Sequence, residues 1–205
     1  MADDAAVHVI DDDDAVRDSL AFLFASAGLP ARTYDTAEAF VAVAAGLRAG
    51  CVLTDVRMPG MDGLELQRRL REIGLRLPVI VMTGHADVPI AVQALKAGAA
   101  DFIEKPFDDE ALLAAVRAAL DADREARARE AEVEEIAARL AILTPRERQV
   151  LERLVLGQPN KIIAYELGTS PRTVEVHRAR VMDKMRARSL SELVRMALRV
   201  GIAVG

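Results

Sequence analysis

Several short apolar runs in this 205-residue chain end in side chains capable of chemistry. Val7-His8-Val9-Ile10 leads into Asp11, Asp12, Asp13 and Asp14. Cys51-Val52-Leu53-Thr54 ends at Asp55. Pro78-Val79-Ile80-Val81-Met82 ends at Thr83, and Asp101-Phe102-Ile103 at Glu104-Lys105-Pro106. If Asp11, Asp12 and Asp55 converge, their like charges need a neutralising cation. Oxygen-only ligands with room for water suit Mg²⁺. An ionised aspartate beside such a cation is an acceptor for a phosphoryl group, the metal offsetting charge on the phosphoryl oxygens. Lys105 would add a second positive charge, and the Thr83 hydroxyl would donate to a phosphoryl oxygen. Each residue alone has an ordinary reading as a solvated turn, a helix cap or a surface lysine. Together, at the ends of four such runs, they favour the chemical one.

The elements that must position them alternate. Five apolar runs, near residues 7–10, 31–34, 51–54, 78–82 and 101–103, are separated by segments with helical spacing. The first carries Val16, Leu20, Leu23 and Phe24 and stops at Gly28. Thr36 caps the next. Leu64 to Glu72 and Val88 to Ala97 are helical, and a last helix starts near Asp108. Five strand–helix units predict an α/β fold, a doubly wound parallel five-stranded sheet of order 2-1-3-4-5. Its ligands bind at the carboxyl ends of the strands, where Asp11, Asp55, Thr83 and Lys105 fall. Cys51, the single cysteine, reads as core packing.

The net charge of −5 hides an asymmetry. Residues 1–120 carry net −8, 121–138 net −4 and 139–205 net +7. One cysteine excludes an internal disulfide. The acidic N-terminus lacks the basic start of a signal peptide, and no apolar run reaches membrane-spanning length, so a cytoplasmic protein without membrane attachment is expected. Residues 121–138 continue the preceding helix, either as a plain spacer or as a dimerising helix. The basic remainder reads as short helices. Thr144-Pro145-Arg146-Glu147 and Ser189-Leu190-Ser191-Glu192 are capping boxes, Asn160 caps Lys161 to Leu167, and Ser170-Pro171 opens a helix to about Arg186. The tight Gly168-Thr169-Ser170 turn fits a helix-turn-helix module. Its second helix exposes Arg172, Thr173, Glu175, His177, Arg178, Arg180 and Lys184, candidates for phosphate or base contacts, with Lys161 on the helix before. The apolar stripe Leu193, Ala197 and Val200 is either core or a dimer seam.

The runs Val-His-Val-Ile-Asp11-Asp12-Asp13, Leu53-Thr54-Asp55-Val56-Arg57-Met58-Pro59-Gly60-Met61-Asp62-Gly63, Val81-Met82-Thr83-Gly84-His85 and Ile103-Glu104-Lys105-Pro106-Phe107 resemble a response-regulator receiver domain. The resemblance implies a flavodoxin-like fold with Asp55 as the phosphorylated residue. It implies Mg²⁺ held by Asp12, by Asp11 directly or through water, by Asp55, and by the Arg57 carbonyl. Lys105 would pair with the phosphoryl group across a cis bond to Pro106. Thr83 would close on it and Phe102 would turn inward as the switch; the family often has Tyr there, so switching here would be by packing alone. Leu143-Thr144-Pro145-Arg146-Glu147-Arg148, Asn160-Lys161-Ile162-Ile163-Ala164 and Ser170-Pro171-Arg172-Thr173-Val174-Glu175-Val176-His177 are similar to a LuxR-type DNA-binding domain, with Pro159 a departure that stiffens its turn.

The expected organisation is a receiver over 1–122, a helical linker over 123–140 and an all-α helix-turn-helix domain over 141–205. Such a protein would not be an enzyme. It would take its phosphoryl group from a sensor histidine kinase, form a homodimer on phosphorylation, bind double-stranded DNA and work with RNA polymerase as an activator. Thr83-Gly84-His85-Ala86-Asp87-Val88-Pro89 resembles the nitrogen-fixation subfamily, which implies an oxygen-sensing haem kinase. A regulator of that subfamily with another regulon, and a phosphorylation-independent DNA-binding protein, are the alternatives. An aspartate-nucleophile phosphatase would need a second acid two residues after Asp55, where Arg57 stands.

Overall fold

The computed structural model describes residues 5–84 and 88–202, with only the backbone of 88–91. The His85-Ala86-Asp87 part of the subfamily motif lies outside the described residues. The chain divides into two compact units, residues 1–126 and 127–205.

The first unit is a parallel sheet of order β2-β1-β3-β4-β5. Its strands are β1 (Ala6–Ile10), β2 (Ala31–Tyr34), β3 (Gly50–Asp55), β4 (Val79–Thr83) and β5 (Asp101–Glu104). The three central strands are buried along their whole length, whereas the edge strands β2 and β5 keep exposed positions. Near-continuous apolar strands follow from helices covering both faces. Alternate side chains feed two cores. Ile10, Val52 and Val81 pack with Phe40, Leu66 and Leu70 from α2 (Ala37–Ala44) and α3 (Gly63–Glu72). Val9, Leu53, Ile80 and Met82 pack with Leu20 and Phe24 of α1 (Asp14–Ser26) and Leu112 and Val116 of α5 (Asp109–Ala141). The helix α4 (Val88–Lys96) lies between β4 and β5 in the chain.

The acidic run divides its labour. Asp11 is buried at the end of β1, and Asp13 is the N-cap of α1, accepting from the N–H groups of Ala15 and Val16. Asp14 pairs with Arg17, and Asp12 is exposed. Cys51 is buried, and burial, then the charge of Asp123, pushes its thiol up to about 12, so it stays protonated as packing.

The second unit packs α6 (Pro145–Val155), α7 (Asn160–Glu166), α8 (Pro171–Met185) and α9 (Leu190–Arg199) around Leu151, Ile163, Val174, Val181, Met185, Leu193 and Ala197. The stripe of Leu193 and Ala197 is therefore core here. Residues 123–140 are not a bare spacer. Asp123 is buried in the first unit, where it accepts from the Gly50 N–H at 3.2 Å, and Ile136 and Leu140 enter the core of the second. Thr144 forms the expected capping box with Glu147. Two caps differ from expectation. Asn160 is the first residue of α7, not its cap; Pro159 takes the cap position without a side-chain bond, its ring already holding the entry conformation. Ser189 caps α9, but the Glu192 carboxylate accepts from the N–H of Arg188, so that box does not close on itself.

His8 sits in β1 against Phe40 and Tyr34, its Nδ1 3.1 Å from the Tyr34 hydroxyl. Burial, then the nearby Arg32 charge, lowers its pKa from 6.5 to about 4. The native ring is therefore neutral where the unfolded chain already takes up a proton. Stability present above pH 6.5 is lost as the pH falls toward 4, at up to about 1.4 kcal/mol per pH unit. Denaturant unfolding of the first unit should show this slope, and His8→Leu should flatten it.

Candidate functional site

Parallel pairing of β1 with β3 sets Ile10 opposite Thr54, so Asp11 and Asp55 emerge side by side. Asp11 is almost fully buried and Asp55 nearly so. The Lys105 ammonium reaches both, 2.7 Å from Asp11 Oδ2 and 2.8 Å from Asp55 Oδ1. Burial would lower the lysine's pKa, but hydrogen bonds to Asp11 and Asp55 and their charges outweigh it, and the net shift is upward. Lys105 is positioned by its backbone N–H, which donates to the Thr83 carbonyl at 2.7 Å, and the Lys105–Pro106 bond is cis.

The other carboxylate oxygens are also held. Asp11 Oδ1 accepts from the Asp13 N–H at 3.0 Å, and Asp55 Oδ2 from the Arg57 N–H at 2.8 Å. Arg17 donates to the Asp11 carbonyl at 2.7 Å. Sequence reasoning missed Arg17; its signal is a position on the first turn of α1, six residues after Asp11. It also missed two supports of the Asp55 loop. Glu38 accepts from the Met61 N–H at 3.1 Å. Gly63 passes so close to β3 that a Cβ there would lie 2.3 Å from the Asp55 carbonyl oxygen.

One expectation changes. Asp11, Asp12 and Asp55 do not all converge; among the described residues no three His, Cys, Asp or Glu side chains group to hold a metal. Asp12 is exposed, and Lys105 supplies the neutralising charge between the other two. The pair still fits Mg²⁺: hard oxygens alone, each carboxylate oxygen with a lone pair to spare, and two carboxylates suffice for an ion that keeps its waters. Thr83 is buried, and its hydroxyl donates to the Gly84 carbonyl at 3.2 Å. Phe102 is 40% exposed on β5.

On α8, Arg172, Thr173, Glu175 and Arg180 are exposed, and His177 and Arg178 half-buried. Ser170 caps the helix through the Thr173 N–H, and Lys161 is exposed on α7. Lys184 does not belong with them. Its ammonium lies 2.6 Å from the buried Glu147 carboxylate and donates to the Ile142 carbonyl. The hydrogen bond from Lys184, then that from the Thr144 N–H, lowers the Glu147 pKa to about 2. A buried acid needs this cation more than solvent does.

An aspartate pair bridged by lysine at the strand ends of a five-stranded parallel sheet, followed by a basic helix-turn-helix, defines a class. The chain belongs to the two-component response regulators: residues 7–117 match the response regulator receiver domain, and residues 141–197 match the bacterial regulatory proteins of the luxR family. It is 59% identical over 203 residues, 99% of this chain and 96% of the relative, to the transcriptional regulatory protein FixJ of Azorhizobium caulinodans. It also resembles the crystal structure of full-length FixJ from B. japonicum, with 52% identity, 98% of each chain covered and a TM-score of 0.61. For the response regulator StyR the identity is 40%, with 95% of this chain and 98% of that one covered and a TM-score of 0.85. The protein is thus a FixJ-like transcription regulator, of a family that works with a sensor kinase and DNA. Receiver domains generally bind Mg²⁺ for phosphorylation. No helix among the described residues is long and apolar enough to cross a membrane.

Two substitutions probe these contacts. Gly63→Ala should displace the Asp55 loop, slowing phosphorylation by acetyl phosphate and costing about 1–3 kcal/mol in receiver unfolding. Lys184→Ala should strand the Glu147 carboxylate and cost about 2 kcal/mol in unfolding of the second unit. DNA affinity of the folded Lys184→Ala protein should stay at the wild-type value, measured by fluorescence anisotropy.

Proposed function

We propose that Asp55 accepts a phosphoryl group from a sensor histidine kinase and that this changes how the second domain engages double-stranded DNA. The carrying observation is the Lys105 ammonium held by both Asp11 and Asp55. An Asp55 oxygen forms the new bond to phosphorus as the P–N bond of the kinase phosphohistidine breaks, and the imidazole leaves with its electron pair. Lys105 stays beside the acceptor and offsets charge on the phosphoryl oxygens. The Arg57 N–H orients the carboxylate from its other oxygen. Asp11, Asp55 and the Arg57 carbonyl would hold Mg²⁺, with Asp12 turning in from its exposed position to join them; the ion when bound would neutralise phosphoryl oxygen charge. The Thr83 hydroxyl would exchange the Gly84 carbonyl for a phosphoryl oxygen, and Phe102 would pack inward.

The receiver would occupy 1–122, the helical linker 123–140 and the DNA-binding domain 141–205. Phosphorylation would permit a homodimer whose two α8 helices meet paired half-sites about one helical turn apart. Lys161, Arg172, Arg178 and Arg180 supply charge for phosphates, while Thr173, Glu175 and His177 reach for bases or position the helix. The high identity to FixJ supports a nitrogen-fixation regulon in a cytoplasmic protein, an oxygen-sensing haem kinase as donor and activation through RNA polymerase. With acetyl phosphate and Mg²⁺, the wild type should label and gain DNA affinity. Asp55→Asn should do neither; labelling that persists, or DNA affinity indifferent to phosphorylation, would overturn the reading.

A further inference from the structure

Among the charged and polar residues on the outer face of α8 stands one large apolar side chain, Val176, 47% exposed. The inner face of the helix is set by Val174, Val181 and Met185, all buried in the domain core. At about 100° per residue, Val176 falls about 200° around the helix from Val174, almost opposite that core. Arg172 and Arg180, one turn before it and one turn after, fall about 40° to either side of it. Both are exposed, whereas His177 and Arg178 lie nearer the core side and are half-buried.

Val176 takes no part in the core of its own domain, and a β-branched residue adds little to an exposed helix. Neither Arg172 nor Arg180 pairs with an acid among the described residues. Their positions are about 12 Å apart along the axis, close to the width of the DNA major groove. Two unpaired cations flanking an apolar centre complement a groove walled by phosphates. Asp183, exposed on the same face two turns after Val176, confines that complementarity to the first half of α8. A valine offers neither donor nor acceptor, so against a purine edge or the cytosine amino group it would strand a polar atom. Thymine alone presents a methyl group in the major groove.

We infer that Val176 reads the 5-methyl group of one thymine in each half-site, with Arg172 and Arg180 on the phosphates of the two groove walls. The inference rests on α8 being the helix that enters DNA. Sequence preference then comes from the apolar contact at the centre of the face, and the arginines supply affinity without selecting a base.

Deoxyuridine differs from thymidine by this methyl group alone. Duplexes selected from a random library by the full chain, treated with acetyl phosphate and Mg²⁺, supply the site. Replacing their thymines one at a time with deoxyuridine should uncover a position in each half-site where affinity falls about fourfold, the value of one buried methyl group. Val176→Ala should fold as the wild type does, with unchanged circular dichroism, and bind the thymine and deoxyuridine duplexes alike. Arg172→Ala should weaken binding to both duplexes equally and keep the preference for the methyl. A selected site insensitive to deoxyuridine would overturn the inference. So would a methyl preference that survives in Val176→Ala, the result expected if Thr173 made the contact. A library that yields no preferred duplex would overturn the role of α8 in reading DNA, and this inference with it.

Discussion

Two buried carboxylates at adjacent strand ends are tolerable only because one ammonium lies between them. Asp11 and Asp55 are neighbours because β1 and β3 are paired in parallel, and Lys105 reaches them from beyond β5. In a partly buried site the repulsion between two such charges is several-fold what it would be in water. The cation comes from far along the chain: Lys105 is 94 residues from Asp11. The strand order therefore matters to the site as much as its residues do. A sheet wound differently would leave the acids unneutralised or the lysine unused. The same arrangement leaves a nucleophilic carboxylate beside fixed positive charge, which is what a phosphoryl acceptor needs.

The second unit repeats the device for another purpose. Lys184 neutralises Glu147, and the acid also closes the capping box of α6. The pair links α6 to the end of α8, and Arg139 donates to the Met185 carbonyl at that same end. With the inner face of α8 fixed this way, Arg172, Thr173, Glu175 and Arg180 remain on the outer one. The net charge of −5 is the residue of these two roles, an acidic acceptor and a basic helix face on one chain.

The strands, their order and most helix caps were legible because apolar runs end abruptly in polar residues and caps obey local rules. The residues meeting at the acceptor site were legible for the same reason: Asp11, Asp55 and Lys105 each close a run, as does Thr83, whose carbonyl holds the Lys105 N–H. What local reading missed depends on distant partners. Lys184 looked like another basic residue of α8, yet it follows the buried Val181 by three and so sits beside the inner face. Asp12 looked equivalent to Asp11, but one step along the chain turns it to solvent. Gly63 stood out only as the end of a run, and its approach to the Asp55 carbonyl shows why a side chain is excluded.

The central claim concerns one atom's fate, and chemical trapping reads it directly. After reaction with acetyl phosphate and Mg²⁺, borohydride reduces an aspartyl phosphate to homoserine, and peptide mass spectrometry locates the converted residue. Conversion at Asp55 alone is the predicted result. Conversion at Asp11 or Asp12, or none at any aspartate, would contradict the account.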